Sequence, residues 1–148
     1  GQFKFNFRHP AISRDESKVL LDHAFRLDFE RNGPSLYRLM RTMMVRWQRY
    51  RSDADARVRG RVGVSAAQLR AGWGAALWAM ERYLRAGNPG VSERIRSLRL
   101  DTEREFGAMT SAINRVAGPA LLWSSKRDAR RHPSGRTLEP RTFVERHA

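Results

Sequence analysis

Two glycine- and proline-containing interruptions constrain this chain more than any other feature. Asn32-Gly33-Pro34 and Gly87-Asn88-Pro89-Gly90 cut it into stretches long enough for helices, and the apolar residues between them recur at helical spacing. Gly33 can take a positive φ and Pro34 forbids continuation, so a helix must stop there. It starts at Ser13, where Ser13 and Glu16 have the spacing of a capping box. A helix over about 14–30 is therefore expected, burying Val19, Leu20, Ala24, Phe25 and Leu27. His23, beside that stripe, is expected to be a packed, hydrogen-bonded histidine rather than a base. A second helix follows from Ser35 to about Ser52. Leu36, Met40, Met43, Trp47 and Tyr50 form its stripe, flanked by Leu39 and Met44. Arg38, Arg41, Arg46 and Arg49 take up much of the remaining circumference.

Asp53 and Asp55 read as caps of a third helical stretch interrupted by Gly60 and Gly63. Ser65 and Gln68 form a second candidate capping box, opening a helix to about Ala86. Its segment Ala71 to Met80 is apolar nearly all round, so this helix should be the most buried. Gly72, Gly74, Ala75 and Ala76 would allow another backbone to approach closely. Ser92 is expected to cap the last long helix, which runs to about Ala117 and buries Ile95, Leu98, Phe106, Met109, Ile113 and Val116. Arg99 and Glu103 read as an exposed ion pair on it. Gly118-Pro119 is expected to end it. The fold class is all-α: an irregular antiparallel bundle of four to five helices over residues 13–118. An extended N-terminal arm, residues 1–12, precedes it, with Phe3, Phe5 and Phe7 alternating with polar residues. A basic tail, residues 119–148, follows, with Ala120 to Trp123 as a docked stub and the remainder mobile.

The chemistry of the side chains is sparse. With no cysteine, the chain has no disulfide, thiolate nucleophile or cysteine-held metal or cluster. His9, His23, His132 and His147 have no metal-site spacing. Asp101 and Glu105 are four apart on a helical face, but Arg96, Arg99 and Arg104 nearby would keep both ionised. No glycine-rich phosphate loop or nucleophile elbow is present. The Ala71–Met80 window is too short to span a membrane, and no secretory leader is visible, which makes the cytoplasm the expected compartment. The first residue is Gly1 and not Met, as expected of an excised fragment or a tag remnant. Basic residues number 29 against 15 acidic, a net charge of +14. That balance is compatible with a nucleic-acid-binding module using the Arg face of the second helix and the tail. However, all the basic residues but Lys4, Lys18 and Lys126 are Arg, as GC-rich coding also produces.

The segments "FRHPAIS", "LLDHAFRLDFERNGPSLYRLMRTMMVRWQRY" and "DADARVRGRV" resemble the C-terminal region of cobalamin-dependent radical S-adenosylmethionine enzymes. The likeness covers about the first 62 residues and centres on Phe25, Asp28, Asn32 to Arg38, and Arg41-Thr42-Met43. It implies a parent chain with cobalamin-binding and radical domains upstream, holding the iron–sulfur cluster, S-adenosylmethionine and cobalamin. This segment would then be a non-catalytic helical accessory domain with no cofactor of its own. The parent chemistry implied is methyl transfer or rearrangement. Contacts to the core enzyme are expected from Phe3, Phe5, Phe7, Asn32, Gly33, Pro34, Ser35, Tyr37 and Arg41; the alternative is that the three Phe rings cover this domain's own helices and the others set its internal helix–helix geometry.

Overall fold

The computed structural model describes residues 10–131. They form an all-α fold, and no strand is present among the described residues. The helices are α1 (Arg14–Asn32), α2 (Ser35–Tyr50), α3 (Ala56–Gln68), α4 (Gly74–Leu84), α5 (Pro89–Phe106) and α6 (Ala108–Arg131), with a π-helical segment, Leu69–Trp73, joining α3 to α4. The five helices α2 to α6 pack together, and α1 is attached to them near its last turn. Among the described residues no helix is long and apolar enough to cross a membrane.

The expected starts and stops of the first two helices are present. Ser13 Oγ accepts from the Glu16 N–H at 3.2 Å, and the Glu16 carboxylate accepts from the Ser13 N–H at 2.8 Å. This reciprocal bonding holds the Glu16 carboxyl below its ordinary pKa, chiefly through the Ser13 backbone. Gly33 takes φ 75° and ends α1. Asp55 caps α3 by accepting from the Arg57 N–H at 2.8 Å.

Farther along, the breaks fall elsewhere than expected. α3 runs unbroken through Gly60 and Gly63, so Ser65 lies inside it and caps nothing. A helical interior tolerates glycine at about 1 kcal/mol each, and Val62, Ala66 and Leu69 keep one buried face across them. The chain instead kinks at Gly72 (φ 155°), where the π-helical segment gives way to α4. Asn88, not Ser92, caps α5, accepting from the Val91 N–H at 3.1 Å with Pro89 in the first turn. Ser92 lies within α5 and donates its hydroxyl to the Glu81 carbonyl of α4 at 2.7 Å.

Helix α5 ends at Gly107 (φ 82°), so what read as one helix is two. The new start changes the helical phase of everything beyond it. Met109 and Val116, expected inside, are 67% and 79% exposed, while Thr110 and Asn114 are 1% and 0% exposed. Gly118 is buried too, and α6 continues through Pro119 to Arg131 instead of stopping. Ala120 and Trp123 are accordingly exposed helical positions and not a docked stub. The expected mobile part of the tail beyond Arg131 lies outside the described residues, as does most of the expected arm.

The core is centred on α4, as its apolar circumference predicts. Leu69, Leu77 and Leu84 meet Tyr37, Met40, Met43 and Met44 of α2 and Val91, Ile95 and Leu98 of α5. On the opposite flank the contacts pair Arg70 with Thr110, Gly74 with Asn114, and Trp78 with Gly118. Both members of each pair advance by four residues, so α4 and α6 run parallel, with α5 returning between their ends. A Cβ on Gly74 would overlap the Asn114 carboxamide, and one on Gly118 would lie 2.7 Å from the Trp78 ring.

Helix α1 contradicts its expected burial. Val19, Leu20 and Phe25 are 67%, 51% and 43% exposed, Ala24 and His23 are exposed, and Leu27 is only half-buried. Leu36 and Leu39 of α2 are likewise 41% and 49% exposed, because Tyr37 takes the inward position.

These contacts separate two glycine substitutions. Gly118→Ala is expected to destabilise by about 1–3 kcal/mol through overpacking against Trp78. Gly63→Ala would place its new methyl group in open space, with no atom within 4 Å, and is expected to stabilise by about 0.5–1 kcal/mol. Thermal melts of the two variants, moving in opposite directions, check both.

Candidate functional site

Asp28, Asn32, Ser35 and Arg38 meet in the corner between α1 and α2. The Asp28 carboxylate accepts from Asn32 Nδ2 at 2.8 Å and from the Arg38 guanidinium at 3.0 and 2.8 Å. Its pKa is lowered, first by the Asn32 bond and further by Arg38. Arg38 also donates to Ser35 Oγ at 3.1 Å, and its own carbonyl accepts from Thr42 Oγ1 at 3.0 Å. Gly33 is buried against Val91 of α5, and Tyr37 is 5% exposed in the core.

Of the expected docking positions, then, Asn32, Gly33, Ser35 and Tyr37 take part in contacts within the domain. Pro34 is half-buried at the start of α2, and Arg41 is exposed to solvent. Phe3, Phe5 and Phe7 lie outside the described residues. The corner is closed from α5, where Asn88 Nδ2 donates to the Glu30 carbonyl at 2.8 Å and Arg94 to the Arg31 carbonyl at 2.5 Å. Asn88 thus caps one helix while satisfying the open end of another.

A second constellation lies between α4, α5 and α6. Glu81 is 3% exposed and accepts from Arg99 Nε at 2.8 Å and from Arg85 at 3.2 Å, with Arg82 at 3.6 Å. Arg99 also donates to Glu103 at 2.8 Å, and Glu103 accepts from Asn114 Nδ2 at 3.0 Å. The Arg99–Glu103 pair, expected in solvent, is therefore 13% and 16% exposed and forms the middle of a buried network. Burial pushes the Arg99 pKa down, but its bonds to Glu81 and Glu103 outweigh that and raise it. Burial raises the Glu103 pKa, and its bonds to Asn114 and Arg99 outweigh that and leave it lowered.

Asp101 and Glu105 do not act together. Asp101 pairs with Arg104, while Glu105 accepts from Trp47 Nε1 at 2.8 Å and from Arg51. The Glu105 carboxyl is held below its ordinary pKa, chiefly by the Trp47 bond. Carboxylates bound in this way by guanidinium and amide donors hold helices together and are not poised as acids or bases.

Two features of the molecule have little signal in the sequence. One is the Glu81 network, whose local signs are two pairs four residues apart, Glu81–Arg85 and Arg99–Glu103, while Arg99 and Asn114 join them only through tertiary packing. The other is the apolar exterior. Val19, Leu20 and Phe29 of α1 join Leu36 and Leu39 of α2 as exposed large residues. On α6, Met109, Val116 and Trp123 (63% exposed) lie seven residues apart and so on one face. Comparison of the chain with family models, with curated proteins and with solved structures finds no match.

Replacing Arg99 by Leu leaves Glu81 buried with weaker partners and is expected to cost about 3 kcal/mol, read from chemical denaturation. Glu103 and Glu105 have lowered folded-state pKa values, so their stabilisation is complete above about pH 4.3 and is lost as pH falls through the folded values. The melting temperature is expected to drop below about pH 4, less steeply in Glu105→Gln; equal slopes would show that Glu105 contributes nothing.

Proposed function

We propose that this chain is a non-catalytic helical accessory domain that docks through its apolar outer faces onto a larger protein. We further propose that this protein is the radical and cobalamin-binding core of a cobalamin-dependent radical S-adenosylmethionine enzyme. The observation that carries the docking reading is the inversion of α6. It presents Met109, Val116 and Trp123 to solvent while burying Thr110, Asn114 and Gly118. An apolar row on the outside of a helix, added to a 19-residue α1 with no buried side chain among those described, is surface that water alone covers poorly. The identity of the core rests on the sequence resemblance. Cluster, S-adenosylmethionine and cobalamin would be held by the core, because this chain has no cysteine and its carboxylates near α5 are tied to arginines.

The coding DNA upstream of the Gly1 codon tests this reading directly. A Cys-x3-Cys-x2-Cys segment preceded by an Asp-x-His-x2-Gly motif is expected, and an open frame carrying neither would remove the radical-enzyme assignment. The docking half has its own check. Val116→Ser and Leu39→Ser should leave stability within about 0.5 kcal/mol of wild type, while abolishing association with the upstream domains supplied in trans.

A second reading, a basic helical nucleic-acid-binding module, draws on Arg41, Arg46 and Arg49, exposed on α2, and on Lys126, Arg127, Arg130 and Arg131 at the end of α6. It requires duplex affinity that falls by about a thousandfold between roughly 50 and 200 mM salt if six phosphates are contacted. Undetectable or salt-insensitive binding would leave only the docking reading.

A further inference from the structure

The cleft between the end of α4 and the start of α5 is independent of the docking faces and has a chemistry of its own. Its volume is about 480 Å³, and it is lined by Arg82, Arg85, Arg96 and Arg99 against Glu81 and Glu93. Four guanidiniums therefore face two carboxylates. The floor is rigid: Glu81, 3% exposed, holds Arg99 at 2.8 Å and Arg85 at 3.2 Å, and the Arg82 guanidinium lies 3.5 Å from the centroid of the Trp78 ring.

The rim is different. Among the described residues Arg96 pairs with Glu93, at 3.4–3.5 Å, and the two side chains are 54% and 70% exposed. A pair that long and that wet is worth little and exchanges readily for a better acceptor. Each guanidinium carries five N–H donors in a planar fork, so among the described residues Arg82, Arg85 and Arg96 retain donors directed to no carboxylate. Pro89 and Ser92 also line the cleft, which places the positive end of the 18-residue α5 beside the arginines.

We propose that this cleft binds a phosphoryl group, an anion whose unesterified oxygens match a fork of arginines. Arg85 and Arg96 grip its oxygens from opposite walls, and Arg82 braces it from its stack on Trp78. Glu81 takes no part in binding and serves as the fixed post that keeps three cations at one end of the cleft. The volume exceeds that of inorganic phosphate and falls in the range that holds a small organic molecule, so the group enters as an ester. Either a free phosphate monoester or one phosphodiester of a nucleic acid supplies this chemistry.

The test uses the full chain with arginine side chains labelled for NMR, titrated with inorganic phosphate and with phenyl phosphate. Saturable shifts of the Arg82, Arg85 and Arg96 Hε signals are expected, with Kd at or below about 1 mM. Arg85→Gln/Arg96→Gln should weaken binding by at least about tenfold. Both side chains are more than half exposed, so this variant should fold, and Arg96→Gln alone gives a second reading should the double variant not do so. Arg57→Gln/Arg61→Gln on α3 removes the same charge from exposed positions elsewhere and should bind as wild type does. Equal weakening in both double variants, or shifts that never saturate, would overturn the site in favour of diffuse attraction to a chain of charge +14. A short duplex separates the two sources. Duplex affinity lost in Arg85→Gln/Arg96→Gln assigns a phosphodiester, and duplex affinity unchanged while phenyl phosphate is lost assigns a free monoester.

Discussion

Helices α4 and α6 lie against each other because Gly74 and Gly118 have no side chain at the two points of contact. Asn114 occupies the space a Cβ would need at Gly74, and the Trp78 ring fills the same space at Gly118. Much else follows from that approach. With Asn114 brought to α4, its amide reaches Glu103, Glu103 fixes one side of Arg99, and Arg99 satisfies the buried Glu81. The burial of polar groups along α6 is tolerable because each has somewhere to donate. Thr110 turns its hydroxyl to the Arg70 carbonyl at 3.5 Å, close to the kink where the helix ladder is interrupted. The Asn114 carbonyl oxygen is the one buried side-chain atom left without a partner among the described residues.

The same packing explains why the domain has an apolar outside. A helix that turns its small and polar residues inward must turn its large apolar ones outward, and α6 does so with Met109, Val116 and Trp123. Left to water this surface is unfavourable, and the proposed docking would cover it. α1 belongs to the same logic. Its C-terminal end is held by the Asp28–Arg38 pair and by Asn88 and Arg94, while Val19 and Leu20 nearer its start stay in solvent.

Charge is distributed to a different purpose. The acids near α5 are each tied to arginine, which holds the helices in register but leaves the chain's positive excess on the surface. The α4–α5 cleft is where that excess meets a rigid floor and a helix N-terminus, which distinguishes it from the scattered arginines of α2.

Some of this was legible in the sequence because it depends on neighbours along the chain. The Ser13–Glu16 box, the Asn32-Gly33-Pro34 stop, the Asp55 cap, the burial of Met40, Met43, Leu77 and Ile95, and the all-α class follow from local hydrogen bonding and from helical spacing. What only the tertiary structure decided was phase and pairing. Nothing local distinguishes Gly107, which ends α5, from Gly60 and Gly63, which α3 passes through; the difference is what each helix packs against. Pro119 read as a stop because proline removes a backbone donor, yet the contact of Gly118 with Trp78 carries α6 past it. Arg99 and Glu103 read as a solvated pair because the third member, Glu81, is 18 residues from Arg99 in sequence and reaches it only across the α4–α5 interface.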